Sequence, residues 1–149
     1  MGARIIPPFM EKWSPSGQRS RTFRAFQYPR TMLDVARETG IERSHICWYV
    51  HDLRNAGAIY PVKRGLCPIS KTRATFYTTS IAQLENHFIR ITQSVWKDLD
   101  SNDTIELWRA IRTYFTNDYR EGAVAIPENR KSEWERIKAI IDKDREDIR

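Results

Sequence analysis

The sequence predicts a mainly α-helical protein with one small β-hairpin, and three observations predict it. Apolar residues recur at helical spacing over most of the chain beyond residue 20. Strand-forming residues cluster only between Gly57 and Ser80. Glycine, proline and capping residues stand where these segments meet. With 149 residues, 40% of them hydrophobic and 30% charged, the chain has room for one packed domain, or a small one with a helical appendage. Two compact enzymatic domains would not fit.

The elements follow in order. Residues 1–19 carry Pro7, Pro8, Pro15 and Gly17 and read as an extended arm. The apolar patch from Ile5 to Met10 is too short and too interrupted by proline for a signal or membrane segment, so secretion is not expected. A short helix over 20–28 turns Phe23 and Phe26 inward and ends at Pro29. Thr31 caps a second helix over 32–39, because its oxygen can accept an amide of the first turn, and Met32 or Leu33, Val35 and Ala36 point inward. Gly40 supplies the left-handed residue of a sharp turn. A third helix over 43–56 aligns Ile46, Val50 and Leu53 on one face, leaving Arg43, Ser44, His45, Trp48, Asp52 and Asn55 largely elsewhere, and Gly57 ends it.

Strands are expected over 58–63 and 74–79, joined by a basic loop, 64–73, that is too long for a tight turn; Pro61 marks an exposed edge. Beyond it, Ser80 and Gln83 form a capping-box pattern before the stripe Ile81, Leu84, Phe88, Ile91 and Val95. Asp103 and Glu106 open a further helix with Ile105, Trp108, Ile111 and Phe115 inward. Pro127 precedes a last one carrying Trp134, Ile137, Ile140 and Ile141. No internal repeat is found. The organisation is an arm, 1–19, a compact domain, 20–79, and a helical subdomain, 80–149.

The formal net charge of +6 is unevenly spread: residues 1–79 hold 13 Lys and Arg against 5 Asp and Glu, and residues 80–149 hold 12 against 14. A concentrated positive field attracts polyanions, nucleic acid foremost, although a basic surface can also serve solubility alone. Cys47 and Cys67 form neither a Cys-x-x-Cys pair nor a zinc pattern, which fits reduced thiols in a cytoplasm, at the nucleoid if the source is bacterial. His45 and His51 read as surface or hydrogen-bonding histidines, since no third ligand is spaced to join them.

The order helix, helix, glycine turn, helix, glycine, strand, basic loop, strand, together with the run from Met32 to Ile46, resembles the winged helix-turn-helix family of bacterial or phage-type DNA-binding regulators. The resemblance spans about 59 residues, 21–79. It implies that Ala36 is the small residue where two helices cross, that Gly40 makes the turn, and that Ile41, Ile46 and Val50 are buried. It also implies that the hairpin tip, or wing, lies along the phosphate backbone or enters the minor groove.

The physical logic stands beside the resemblance. A helix of about 14 residues is about 21 Å long and fits the major groove when neighbours hold one face and leave the other free. Arg43, Ser44 and His45 at its N-terminal end would meet base edges or phosphates. Lys63, Arg64, Lys71 and Arg73 gather on the hairpin and would neutralise phosphates, unless Arg73 lies along the strand with its stem packed there. Trp48 departs from the family pattern, in which a polar or basic residue often stands. It would touch a thymine methyl or a sugar, or else pack against the wing or another domain. Tyr49 would reach a phosphate or cover the core edge.

No catalytic arrangement stands out: there is no phosphate-cradling glycine loop, no Gly-x-Ser-x-Gly and no His-Glu-x-x-His. Asp98, Asp100 and Asp103 could converge as a nuclease site, but a loop and a helix cap explain them better. No cofactor, metal or membrane is implied. The expectation is a transcriptional regulator binding double-stranded DNA with helix 43–56 and wing 63–73. The alternatives are an accessory factor for replication, transfer or packaging of a mobile element or phage, and a module for protein contacts. The stripes of 80–149, with Trp96, Trp108 and Trp134, would pack into a subdomain or build a homodimer or higher oligomer that spaces two recognition helices about one DNA turn apart. The alternating charges of 131–149 mark a solvated face.

Overall fold

The computed structural model describes residues 13, 14, 16–96, 109, 111 and 130–148. Within them the chain is mainly helical with one two-stranded antiparallel sheet. The elements are α1 (Gln18–Ala25), α2 (Met32–Thr39), α3 (Arg43–Asn55), β1 (Tyr60–Leu66), β2 (Arg73–Thr78), α4 (Ile81–Ile91), α5 (Gln93–Trp96) and α6 (Lys131–Glu146). The chain divides into two compact units, up to Leu84 and from Glu85 onward, so the division falls inside α4 rather than at the 79/80 boundary read from the sequence. Among the described residues no helix is long and apolar enough to cross a membrane.

In the first unit α1 starts and stops earlier than the 20–28 of the sequence reading. Gly17, extended at φ −69° and ψ 159°, is its N-cap, and the Arg21 amide donates to the Gly17 carbonyl at 3.0 Å, so Gln18 and Arg19 are helical rather than part of an arm. The exit is early because outside groups take over the carbonyls the helix would have paired. The Thr79 hydroxyl donates to the Phe23 carbonyl at 3.1 Å, while the Thr78 hydroxyl at 3.0 Å and the Thr79 amide at 2.8 Å both donate to that of Phe26. Phe26 itself is fully buried and Phe23 is half-buried.

α2 has the expected bounds for the expected reasons. The Asp34 amide donates to Thr31 Oγ1 at 3.2 Å, and Gly40 adopts φ 73° with its amide on the Ala36 carbonyl at 3.0 Å. α3 ends through Ala56 and Gly57, whose φ of 69° lets the Ala58 amide fold back onto the Leu53 carbonyl at 2.8 Å. Ile46, Val50 and Leu53 are buried, as are Phe26, Val35, Ile41, Ile59 and Tyr77, with which they form one cluster. Each such aliphatic side chain contributes about 1.5–3 kcal/mol relative to exposure.

The hairpin is shifted and longer than the 58–63 and 74–79 strands predict. Ala58 is spent closing α3, so β1 begins at Tyr60, and Thr79 turns toward Phe26, so β2 ends at Thr78. Arg64, Gly65 and Leu66, expected in the loop, pair with Thr75, Ala74 and Arg73. A tip over 67–72 remains, closed by the Cys67 amide on the Thr72 carbonyl at 2.8 Å and the Lys71 amide on the Cys67 carbonyl at 2.9 Å. Gly65 is no breaker here: a Cβ on it would stand 3.3 Å from the Phe76 ring, which lies across the glycine. The register shifts at the buried Val62, between Pro61 and Lys63, a bulge that sets the faces of the outer arm.

At α4 the capping box is half made. Ser80 Oγ accepts the Gln83 amide at 3.4 Å, but the Ser80 amide donates to the Thr78 hydroxyl at 3.1 Å. Leu84, Phe88 and Val95 of the predicted stripe are buried and Ile91 is half-buried. Ile81, expected inward, is exposed, because it lies in the first turn ahead of the buried positions. The run breaks at buried Thr92, whose hydroxyl donates to the Phe88 carbonyl at 2.6 Å. In the second unit α6 buries Trp134, Ile137 and Ile141 and half-buries Ile140. His87 Nε2 lies 3.0 Å from Asp144 Oδ2, and the Arg145 guanidinium 4.6 Å from the Phe88 ring centre. Ile111 is buried. The rest of the helix read around Ile105, Trp108 and Phe115, its Asp103–Glu106 start, Asp98, Asp100 and Pro127 lie outside the described residues.

Candidate nucleic-acid interface

At 100° per residue, α3 divides into stripes. Ile46, Val50 and Leu53, at most 4% exposed, form the held face. Opposite them Ser44, Trp48, His51 and Asn55 recur at spacings of four, three and four and are all exposed, Trp48 by 65%. His51 Nε2 and Asn55 Nδ2 lie 3.2 Å apart, so the C-terminal half of the stripe presents a paired imidazole and amide. His51 and Asn55 did not stand among the residues expected to bind. The signal for them is this helical spacing, which puts them in line with Ser44 and Trp48.

The remaining α3 residues separate by flank. Arg43 is exposed in the first turn. His45 is half-buried, its Nδ1 is covered and has no hydrogen-bond partner among the described residues, and its ring centre is 5.4 Å from that of Trp48 at 39°. Trp48 is therefore exposed over most of its surface, with its ring leaning on that of His45. Tyr49 turns toward α1, where its hydroxyl donates to Gln18 Oε1 at 2.9 Å, and the Arg19 guanidinium lies 5.8 Å from its ring centre. That geometry makes Tyr49 a link between α1 and α3. Glu42, the N-cap of α3, makes no side-chain cap, which leaves the first-turn amides directed outward but sets an exposed carboxylate beside them.

The hairpin does not gather its four cations on one face. Lys63 is half-buried with its ammonium 5.0 Å from the centre of the Phe76 ring, on the face that carries Gly65 and Ala74. Arg64 and Arg73 project from the other face, on either side of Leu66, which pairs with Arg73. Both arginines are exposed, and Arg73 opens β2 rather than ending a loop. Lys71 is exposed at the tip with φ 58°, a left-handed non-glycine residue.

Beneath the tip Cys67 is buried, its sulfur 3.1 Å from Thr31 Oγ1 at the start of α2. Burial pushes this thiol up, but hydrogen bonds from the Ser70 amide, the Thr31 hydroxyl, the Ile69 amide and the Ser70 hydroxyl together outweigh it and bring it down to about 7. No family model, curated protein or solved structure matches the chain.

Part of the basic excess is structural. Arg30 places its guanidinium on Asp34 in two bonds of 3.1 Å and also pairs with Glu38, and Arg21 donates to the Thr39 carbonyl at the end of α2. Arg19 reaches Asp52 at 3.9 Å between two exposed side chains, a weak pair. The cations of the first unit left projecting around α3 and the hairpin include Arg43, Arg64, Lys71 and Arg73.

Proposed function

We propose that the chain is a winged helix-turn-helix DNA-binding protein acting as a transcriptional regulator, with α3 in the major groove and the β1–β2 hairpin as its wing on the backbone. The observation that carries this reading is the division of α3 into a fully buried face and an exposed polar stripe within the basic unit that also bears the hairpin cations. A 13-residue helix is about 20 Å long, enough to follow the groove past several base pairs. Asn55 offers the donor and acceptor pair that matches an adenine edge, His51 and Ser44 single polar contacts, and Trp48 an apolar surface for a thymine methyl. Arg43, Arg64 and Lys71 supply phosphate contacts that orient the protein without reading sequence.

The test is fluorescence-anisotropy binding to a pool of random duplexes over a salt series, for the native protein and an Arg64→Ala, Lys71→Ala double variant. The expected result is salt-sensitive binding whose log-log slope becomes shallower by up to about 2 in the variant. Absence of binding at low salt refutes the proposal. Selection from the same pool separates a regulator, which enriches one sequence, from an accessory factor, which does not. The exposure of Trp48 favours a second reading, a surface for protein contacts. In that case partner binding survives removal of the hairpin cations.

A further inference from the structure

Leu66 is 68% exposed, yet it occupies a position where the backbone leaves it no freedom. It is the last residue of β1, paired with Arg73, and the next residue, Cys67, faces inward beneath the tip beside Thr31. Alternation along the strand therefore holds Leu66 outward. Arg64, two residues before it, and Arg73, across from it, share its face, and Lys71 stands at the tip, so an apolar side chain is set within a group of cations.

Taking the DNA-binding reading as its basis, we infer that Leu66 is a wedge that enters the minor groove and opens a base step, with Arg64 and Arg73 on the flanking phosphates or groove floor. The cations commit the occupant: their charge complements the phosphates that line both edges of the minor groove. Two strands about 4.8 Å apart with side chains exceed a groove about 6 Å wide, so a hairpin tip enters only if the groove is widened. Partial unstacking by an inserted apolar side chain widens it, and the cost is least at pyrimidine–purine steps. The arginines hold the leucine at the step, and the leucine turns their backbone contacts into a preference for deformable sequence.

The experiment uses the full chain and a duplex of about 20 base pairs with a central TA step whose adenine is replaced by 2-aminopurine, a base that brightens on unstacking. Anisotropy reports binding in the same samples. The native protein should raise 2-aminopurine fluorescence about twofold or more. Leu66→Ser should bind within about threefold of native affinity, with the same salt slope and no rise in fluorescence, whereas Leu66→Met should keep the rise. Equal melting temperatures exclude misfolding, as expected for an exposed position. Binding by the native protein without brightening, or equal brightening by Leu66→Ser, overturns the wedge and leaves the DNA-binding reading intact. No binding by the native protein removes both.

Discussion

Replacing Leu53 and Trp48 by alanine, one at a time, separates the two faces of α3. Leu53 is 2% exposed within the core cluster, so its truncation loses apolar transfer energy of about 0.8 kcal/mol per carbon and leaves a cavity. Together these cost about 3–5 kcal/mol for a buried leucine. In a unit of this size each kcal/mol lowers Tm by about 4–8 °C, which places the Leu53→Ala transition at least about 12 °C below native. Trp48, at 65% exposure, should change stability by no more than about 0.5 kcal/mol, or a few degrees. Its loss should instead weaken binding to a selected duplex about fivefold to tenfold, the value of one apolar base contact. Thermal melts followed by far-ultraviolet circular dichroism give the first quantity and anisotropy the second. If Trp48→Ala melts as early as Leu53→Ala, or if Leu53→Ala melts with the native protein, the assignment of buried and reading faces is wrong.

Three further outcomes follow from particular contacts. Thr31→Val keeps the side-chain shape but removes the Asp34 cap and one partner of the Cys67 sulfur, so Tm should fall by about 4–8 °C, the equivalent of about 1 kcal/mol. Cys67 has a folded-state pKa of about 7 against 9.0 for the free thiol, so its stabilising contribution is complete above pH 9 and is lost as pH falls through 7. The stability of native protein relative to Cys67→Ser, from urea melts, should therefore grow between pH 7 and pH 9; a constant difference would contradict the hydrogen-bonded thiolate. Glu42→Gln removes the carboxylate beside the first turn of α3 and should tighten low-salt DNA binding about twofold to fivefold. Unchanged affinity would place that turn away from the backbone.

The helical part of the first unit was readable because its signals are local. Thr31, Gly40 and Gly57 act on the backbone within a few residues of themselves, and Ile46, Val50 and Leu53 repeat at the helical period, so α2 and α3 agree with the sequence almost to the residue. The hairpin was harder, because strand bounds depend on pairing. Gly65 looks like a breaker until Phe76, reached only through the opposite strand, is seen to cover it. The bulge at Val62 also decides which cations share a face, and no property of Lys63 or Arg64 alone reveals that Phe76 draws one aside while the other joins Arg73. Two further positions depend on context beyond their own residue: Tyr49 packs against the edge of the core cluster while a partner far along the chain, Gln18, takes its hydroxyl, and Ile81, expected inward, is kept outside by its first-turn position. His51 and Asn55 were legible, since spacing alone aligns them with Ser44 and Trp48.

The hairpin is mounted on the helices through Tyr77 in the core cluster and through a set of polar ties, and this bears on affinity. The Arg30 amide donates to the Tyr77 carbonyl at 3.0 Å and the Tyr77 amide returns a bond to the Arg30 carbonyl at 2.8 Å, so β2 gains a second backbone partner, besides β1, in the segment that leads into α2. Thr78, the last residue of β2, and Thr79, just after it, close the end of α1, and the Arg30 side chain is itself fixed on Asp34 and Glu38 of α2. An isolated hairpin would be marginal in water and would have to be ordered at the moment of binding. Here the ordering is already complete in the folded unit, so under the proposed function Arg64, Arg73 and Lys71 would meet DNA from a position set in advance relative to the stripe on α3. The entropy that would otherwise be lost on association is spared. Loosening the mount with a Thr79→Val substitution, which leaves every cation in place, should then weaken DNA binding while the salt slope, set by the number of phosphates neutralised, stays the same. A slope that falls along with the affinity would show the cations acting independently of the frame.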